Sequence, residues 1–192
     1  MTHMVFFLEE PSAREMLNGL LPRVLPPTVT FQYVVFEGKQ DLEKQVGRKL
    51  RGWQPPLPLF IVLRDQDGGS CSDIKRNLIA ICAKAKRPDT LVRIACHELE
   101  SWYLGDLCAV ELGLGIDRLS SRQRQRKFKC PDNLANAAQE LSRLTGGRYQ
   151  KVSGSRDIGM WLNPERNKSD SFRAFINGVR RLADASAEVE FV

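Results

Sequence analysis

Apolar residues along this chain fall into short, nearly unbroken runs, separated by longer stretches with helical spacing. The runs are Met4 to Leu8 (MVFFL), Thr30 to Phe36 (TFQYVVF), Leu59 to Leu63 (LFIVL) and Leu91 to Cys96 (LVRIAC). Each is rich in branched or aromatic side chains, as strands covered on both faces require. Between them, Ser12 to Leu25, Asp41 to Leu50 and Ser72 to Lys84 read as helices. Leu42, Val46 and Leu50 share one face of the second, and Ile74, Leu78, Ile79 and Cys82 one face of the third. Pro11 or Ser12 opens the first helix, and Pro26 and Pro27 stop it. His97 to Leu107 follows the fourth strand with helical composition. Alternation of this kind predicts an α/β fold: a mainly parallel, Rossmann-like sheet flanked by helices and joined by right-handed crossovers.

The texture changes after Gly115. Asp117 to Phe128 (DRLSSRQRQRKF) is strongly basic, and Asn133 to Leu144 has an amphipathic helical pattern. Gly146 and Gly147 break the chain, a loop containing Gly154, Ser155 and Arg156 is expected next, and Ser171 to Leu182 forms a last helix. The division predicted is an α/β core, residues 1–115, and a basic, mainly helical C-terminal extension, residues 116–192, packed on it.

Composition narrows the class. The 192 residues are 42% hydrophobic and 27% charged, ordinary for a soluble globular protein with a real core. No apolar run is long enough to cross a bilayer, and the start, MTHMVFFLEE, lacks the basic head and long apolar middle of a secretory signal. The five cysteines (Cys71, Cys82, Cys96, Cys108, Cys130) are odd in number and include no CxxC pair. They suit reduced, mostly buried thiols in the cytoplasm. Two histidines, His3 and His97, leave little material for a zinc site. A net charge of +6 and a pI near 9.2 favour an anionic partner.

The candidate chemistry lies where strands end. Pro58 to Asp67 (PLFIVLRDQD) runs from the third strand into Asp65 and Asp67, with Gly68 and Gly69 behind. The first strand ends in Glu9 and Glu10, and the fourth runs into Glu98 and Glu100. In a parallel sheet all carboxyl ends share one edge, where ligands bind. Carboxylates gathered there repel one another, and a divalent cation relieves the repulsion. Aspartates and glutamates also sit at strand and helix ends as turn formers and dipole partners; acids at the ends of separate strands favour the metal reading. Glu98 and Glu100 remain open alternatives, because residues two apart share a face only while the chain is extended.

Beyond the acids, Arg118, Arg122, Arg124, Arg126, Lys127 and Lys129 form a stretch with no intervening acid. It is suited to tracking a nucleic-acid backbone, or to a solvated surface. Trp53, Trp102 and Trp161 are read as packing residues, with Trp102 the one to consider for base stacking. Lys75 and Arg76, in the helix after Asp67, are read as solvated residues.

A first strand ending in glutamate, followed by helix, strand, helix and a strand ending in Arg64-Asp65-Gln66-Asp67-Gly68-Gly69, resembles the TOPRIM fold. That fold occurs in topoisomerases, primases and nucleases of the overcoming-lysogenization-defect type. Where TOPRIM proteins usually follow the glutamate with glycine, this chain has Glu10. Phe36-Glu37-Gly38 is more like that pair but leaves a strand and a helix too few before the aspartates, so Glu37 is assigned to a turn or helix approach. His97-Glu98-Leu99-Glu100-Ser101-Trp102-Tyr103 and Asn167 to Phe172 (NKSDSF) resemble segments of small bacterial TOPRIM-like proteins.

The resemblance implies Mg²⁺- or Mn²⁺-dependent phosphodiester chemistry on DNA or RNA, with Glu9, Asp65, Asp67 and Glu100 or Glu98 as ligands or base. It also implies a partner: an ABC-type ATPase of bacterial anti-phage defence, holding the nuclease inactive until infection. The alternative is a non-catalytic regulatory or nucleic-acid-binding subunit of such an ATPase complex.

Overall fold

The computed structural model describes residues 2–189. Its centre is a four-stranded, all-parallel sheet in the order β2-β1-β3-β4, with β1 Thr2–Leu8, β2 Val29–Val35, β3 Leu59–Asp65 and β4 Leu91–Ala95. Helices α1 Pro11–Val24, α2 Lys39–Arg51 and α3 Cys71–Lys84 connect successive strands. The protein is therefore α/β and Rossmann-like, with a mainly helical C-terminal part, as the hydrophobic pattern predicts.

The unbroken apolar runs are explained by burial on both faces, because successive strand residues alternate sides. Met4, Phe6 and Leu8 of β1, with Ile61 and Leu63 of β3, face a core shared with α1. Val5, Phe7, Phe60 and Val62 face a second core lined by Leu42, Val46 and Leu50 of α2 and Leu78 and Cys82 of α3. The register sets Leu8 of β1 beside Val35 on one side and Leu63 on the other. Glu9 therefore leaves the sheet next to Arg64 and Asp65.

Two expectations change. His97 to Leu107 is not one helix. After a turn come α4 Glu100–Leu104 and α5 Leu107–Leu114, and the break falls at Gly105 and Asp106. Asp106 starts α5 by accepting from the Ala109 amide at 3.2 Å, and a side chain on Gly105 would collide with Asn167. The basic stretch is a 3-10 turn, Ser120–Arg124, followed by the short α6 Arg126–Lys129. After α7 Ala137–Leu144, the expected loop around Gly154 and Ser155 is instead helix α8 Lys151–Gly159.

The glycines of α8 are there for proximity. A Cβ on Gly159 would stand 2.5 Å from the Met16 carbonyl oxygen of α1, and one on Gly19 would stand 2.6 Å from the Met160 nitrogen. Arg23 secures the same seam by donating to the carbonyls of Gly159 (2.8 Å) and Leu162 (2.9 Å). Helix α9, Asp170–Val189, packs on the face of the sheet that α1 covers, against β4 and β1, and sends Phe172, Phe175, Ile176 and Val179 into that core. Residues before and after 115 thus share one hydrophobic core. No helix among the described residues is long and apolar enough to cross a membrane.

Candidate functional site

The site is built at the carboxyl edge of the sheet. Glu9 Oε2 accepts the backbone amide of Asp65 at 3.1 Å and lies 3.7 Å from Arg64 Nε. Arg64 is buried, and its other end pairs with Glu43 of α2. Glu10, just before α1, accepts from the Ser12 hydroxyl at 2.6 Å and pairs with Lys151 Nζ of α8 at 2.5 Å. Asp67 pairs with Lys39, the first residue of α2, at 2.8 Å.

Glu100 completes the group from α4. It is buried and accepts the Tyr149 hydroxyl at 2.9 Å. One turn further along α4, the fully buried Tyr103 hydroxyl has no hydrogen-bond partner among the described residues.

Electrostatics tie these acids together. Burial raises the Asp65 carboxyl well above its usual range, and the charges of Glu10, Glu100 and Glu9 raise it further. Burial also raises Glu9, against the pull of the Asp65 amide. Glu100 is raised by burial, against the Tyr149 hydrogen bond. Lys151 loses hydration, yet its bond to Glu10 and the charges of Glu10, Glu100 and Asp65 leave its ammonium harder to deprotonate. Asp65 therefore sits where negative charge accumulates and where a proton or a cation is favoured.

The donors are all hard oxygens, the set that suits Mg²⁺ or Mn²⁺. Each carboxylate is nevertheless held by a protein group: Glu9 by an amide, Asp65 by the Leu99 amide, Glu10 and Asp67 by lysines, Glu100 by a phenol. Among the described residues no three His, Cys, Asp or Glu side chains form a ready-made coordination cluster.

Of the residues singled out in the sequence, Glu9, Asp65 and Glu100 come together, and Asp67 lies beside them on Lys39. Glu98 does not join them. Its Oε2 accepts the Ala138 amide at 2.8 Å, so it serves the start of α7. Glu37, exposed, lies in the bend before α2, as its assignment to a turn requires. Arg118, Arg122, Arg124, Arg126 and Lys129 are exposed, whereas Lys127 pairs with Glu140 at 2.7 Å.

Trp102 is fully buried and donates to the Ser171 hydroxyl at 2.8 Å, so no base can stack on it. Trp161, read as a packing residue, is 48% exposed. The NKSDSF segment is a structural clasp. Asn167 donates to the Trp102 carbonyl at 2.8 Å, and the Ser169 hydroxyl caps α9 by accepting the Phe172 amide at 3.1 Å.

Sequence reasoning missed Lys151, Tyr149 and Lys39. The first two lie in the C-terminal part and meet Glu10 and Glu100 only through the docking of α8 on α1; no local pattern marks them.

A group of carboxylates at the carboxyl edge of a parallel sheet makes this an α/β protein with a candidate cation or phosphoryl site. The chain belongs to the family described as Domain of unknown function (DUF4276), whose sequence model matches residues 8–180. No curated protein and no solved structure matches it significantly.

Proposed function

We propose that this protein is a metal-dependent nuclease of TOPRIM-like type, hydrolysing phosphodiester bonds of DNA or RNA. The observation that carries the reading is Asp65, ringed by the charges of Glu9, Glu10 and Glu100 at the edge of the sheet where ligands bind. Glu9, Asp65, Asp67 and Glu100 would hold Mg²⁺ or Mn²⁺. When bound, such an ion polarises a phosphoryl oxygen and lowers the pKa of a water.

The chain's own residues supply the rest. Lys39 and Lys151 keep Asp67 and Glu10 neutralised until ligand arrives, and either ammonium is then free to meet a phosphate oxygen. Glu100, with its raised pKa and its phenol partner, is suited to accept a proton from water and pass it on. Arg64 fixes Glu9 against the sheet. Five free thiols among the described residues support a reducing, cytoplasmic setting.

The test is cleavage of labelled DNA and RNA by the wild type and by Asp65→Asn and Glu100→Gln in Mg²⁺ or Mn²⁺. The reading predicts cleavage by the wild type and a loss of at least about a hundredfold in either variant, as expected when a metal ligand or a general base is removed. Cleavage that persists in Asp65→Asn contradicts it. A second reading, a non-catalytic subunit of an ABC-type ATPase complex, is favoured by the lysines that already neutralise Glu10 and Asp67. It predicts that an Asp65→Asn protein still supports function in cells.

A further inference from the structure

We propose that the groove between β4 and α9 binds the phosphate backbone of a nucleic acid, with Arg93, Arg180 and Arg181 as its contacts. The inference rests on the nuclease reading for the identity of the ligand, and it names a surface distinct from the basic stretch 118–129. Arg93, Asn177, Arg180 and Arg181 line a groove of about 530 Å³.

Arg93 is a prepared group there. Its Nε donates to the Ala174 carbonyl at 3.0 Å and its Nη1 to the Val92 carbonyl at 2.9 Å. The guanidinium lies against Gly178 so closely that a Cβ there would stand 2.7 Å from Nη2. Its conformational freedom is therefore already lost, and Nη2 donates to no described residue. A preorganised guanidinium loses less entropy on meeting an anion than a free one.

No carboxylate among the described residues pairs with Arg93 or Arg181, and Arg180 is 3.6 Å from Glu165, itself largely exposed. Burial and the neighbouring Arg181 charge together make Arg93 easier to deprotonate than an ordinary arginine. Arg93 and Arg181, held beside one another with no described carboxylate paired to either, are relieved by a multivalent anion.

The groove also leads somewhere. Through Arg93 and Ala174 it continues into a second depression of about 370 Å³, lined by Lys75 and by Cys96, the residue that follows β4. The carboxylates on that wall are occupied: Asp132 accepts from the Ser169 hydroxyl and the Ser171 amide, and Asp170 pairs with Arg173. The two depressions thus run along β4, from the arginines to Cys96 just past its carboxyl end. A backbone held by such phosphate contacts is given orientation without sequence preference.

The test is fluorescence anisotropy of labelled DNA and RNA oligonucleotides, in chelator, over a series of salt concentrations, with inorganic pyrophosphate as competitor. Arg181→Gln changes an exposed residue and leaves the α9 contacts of Arg93 intact, so it does not depend on refolding of the groove. Arg93→Lys keeps the charge but loses the seat. Arg181→Gln is expected to lower the slope of log affinity against log salt by about 0.7–0.9, the share of one phosphate contact. Arg93→Lys is expected to weaken binding with the slope kept.

Unchanged affinity and slope in both variants overturns the proposal, as does pyrophosphate displacing the oligonucleotide at concentrations equal to it in charge. Cleavage by the wild type with unaltered binding in both variants removes the groove and leaves the nuclease reading. Binding lost as expected, with no cleavage by the wild type in Mg²⁺ or Mn²⁺, removes the nuclease reading and leaves the groove.

Discussion

The amide of Asp67 donates to the carbonyl of His97 across 2.7 Å, and both residues hold left-handed backbone, with φ of 54° and 57°. This bond ties the loop leaving β3 to the loop leaving β4. The Gln66 side chain strengthens the tie by accepting the His97 amide at 3.2 Å and donating to the Gly69 carbonyl at 2.9 Å. Aspartate and histidine are among the side chains that adopt left-handed backbone most readily; one branched at Cβ holds it at a cost. The pair therefore fixes where Asp67 leaves the sheet and where α4, with Glu100, begins.

Because residue 97 holds left-handed backbone, its replacements should separate by backbone preference. His97→Gly is expected to be neutral or to stabilise by up to about 1 kcal/mol. His97→Val, branched at Cβ, should cost about 1–2 kcal/mol. Urea denaturation of the two variants measures the difference, and equal midpoints would show that φ at 97 carries no strain.

Asp65 links the site to pH-dependent stability. Asp65, Glu9 and Glu100 all have folded-state pKa values above those of the unfolded chain. In the window between the two, the folded protein holds more protons. Stability from these groups therefore falls as pH rises from about 4 through the raised folded values, and is level above them. Asp65→Asn should melt higher than the wild type at neutral pH in chelator, by about 2–4 °C for each kcal/mol of repulsion relieved. The gap should close on acidification. Groups such as Glu15, whose carboxyl is lowered by Arg156, act in the opposite sense but equally in both proteins. A gap independent of pH would mean that Asp65 does not titrate between the two states.

Docking of α8 on α1 carries Lys151 to Glu10. Gly159→Ala places a methyl against the Met16 carbonyl and should cost about 1–3 kcal/mol, the range for overpacking a tight contact. Guanidinium denaturation reads the loss. A Gly159→Ala protein as stable as the wild type would show that the two helices separate freely.

The sheet was legible because parallel strands buried on both faces leave unbroken apolar runs, and MVFFL and LFIVL are such runs. Glu9 and Asp65 were legible for the same reason, since the ends of those runs give the edge of the sheet. Glu98 against Glu100 was not. The choice depends on the turn at His97, and a left-handed histidine leaves no mark on hydrophobic spacing. Helix α8 was hidden because Gly154, after the break at Gly146 and Gly147, read as a loop residue, whereas the glycines of this helix allow close approach: Gly154 to the Tyr149 ring and Gly159 to α1. Lys151 and Tyr149 followed it out of sight. Arg93 lay inside an apolar run, where its pairing with the groove of a distant helix has no local signature.

The most direct test of the central claim is calorimetric titration of Mn²⁺ into the wild type and into Asp65→Asn at neutral pH. The account predicts saturable binding to the wild type accompanied by proton release, seen as a heat that depends on the buffer, because the raised carboxyls lose their protons to the buffer when the ion binds. It predicts at least about tenfold weaker binding in Asp65→Asn, the loss of about 1.4 kcal/mol or more. Equal affinity in the two proteins, or no saturable binding to the wild type, would contradict a cation site at the edge of the sheet.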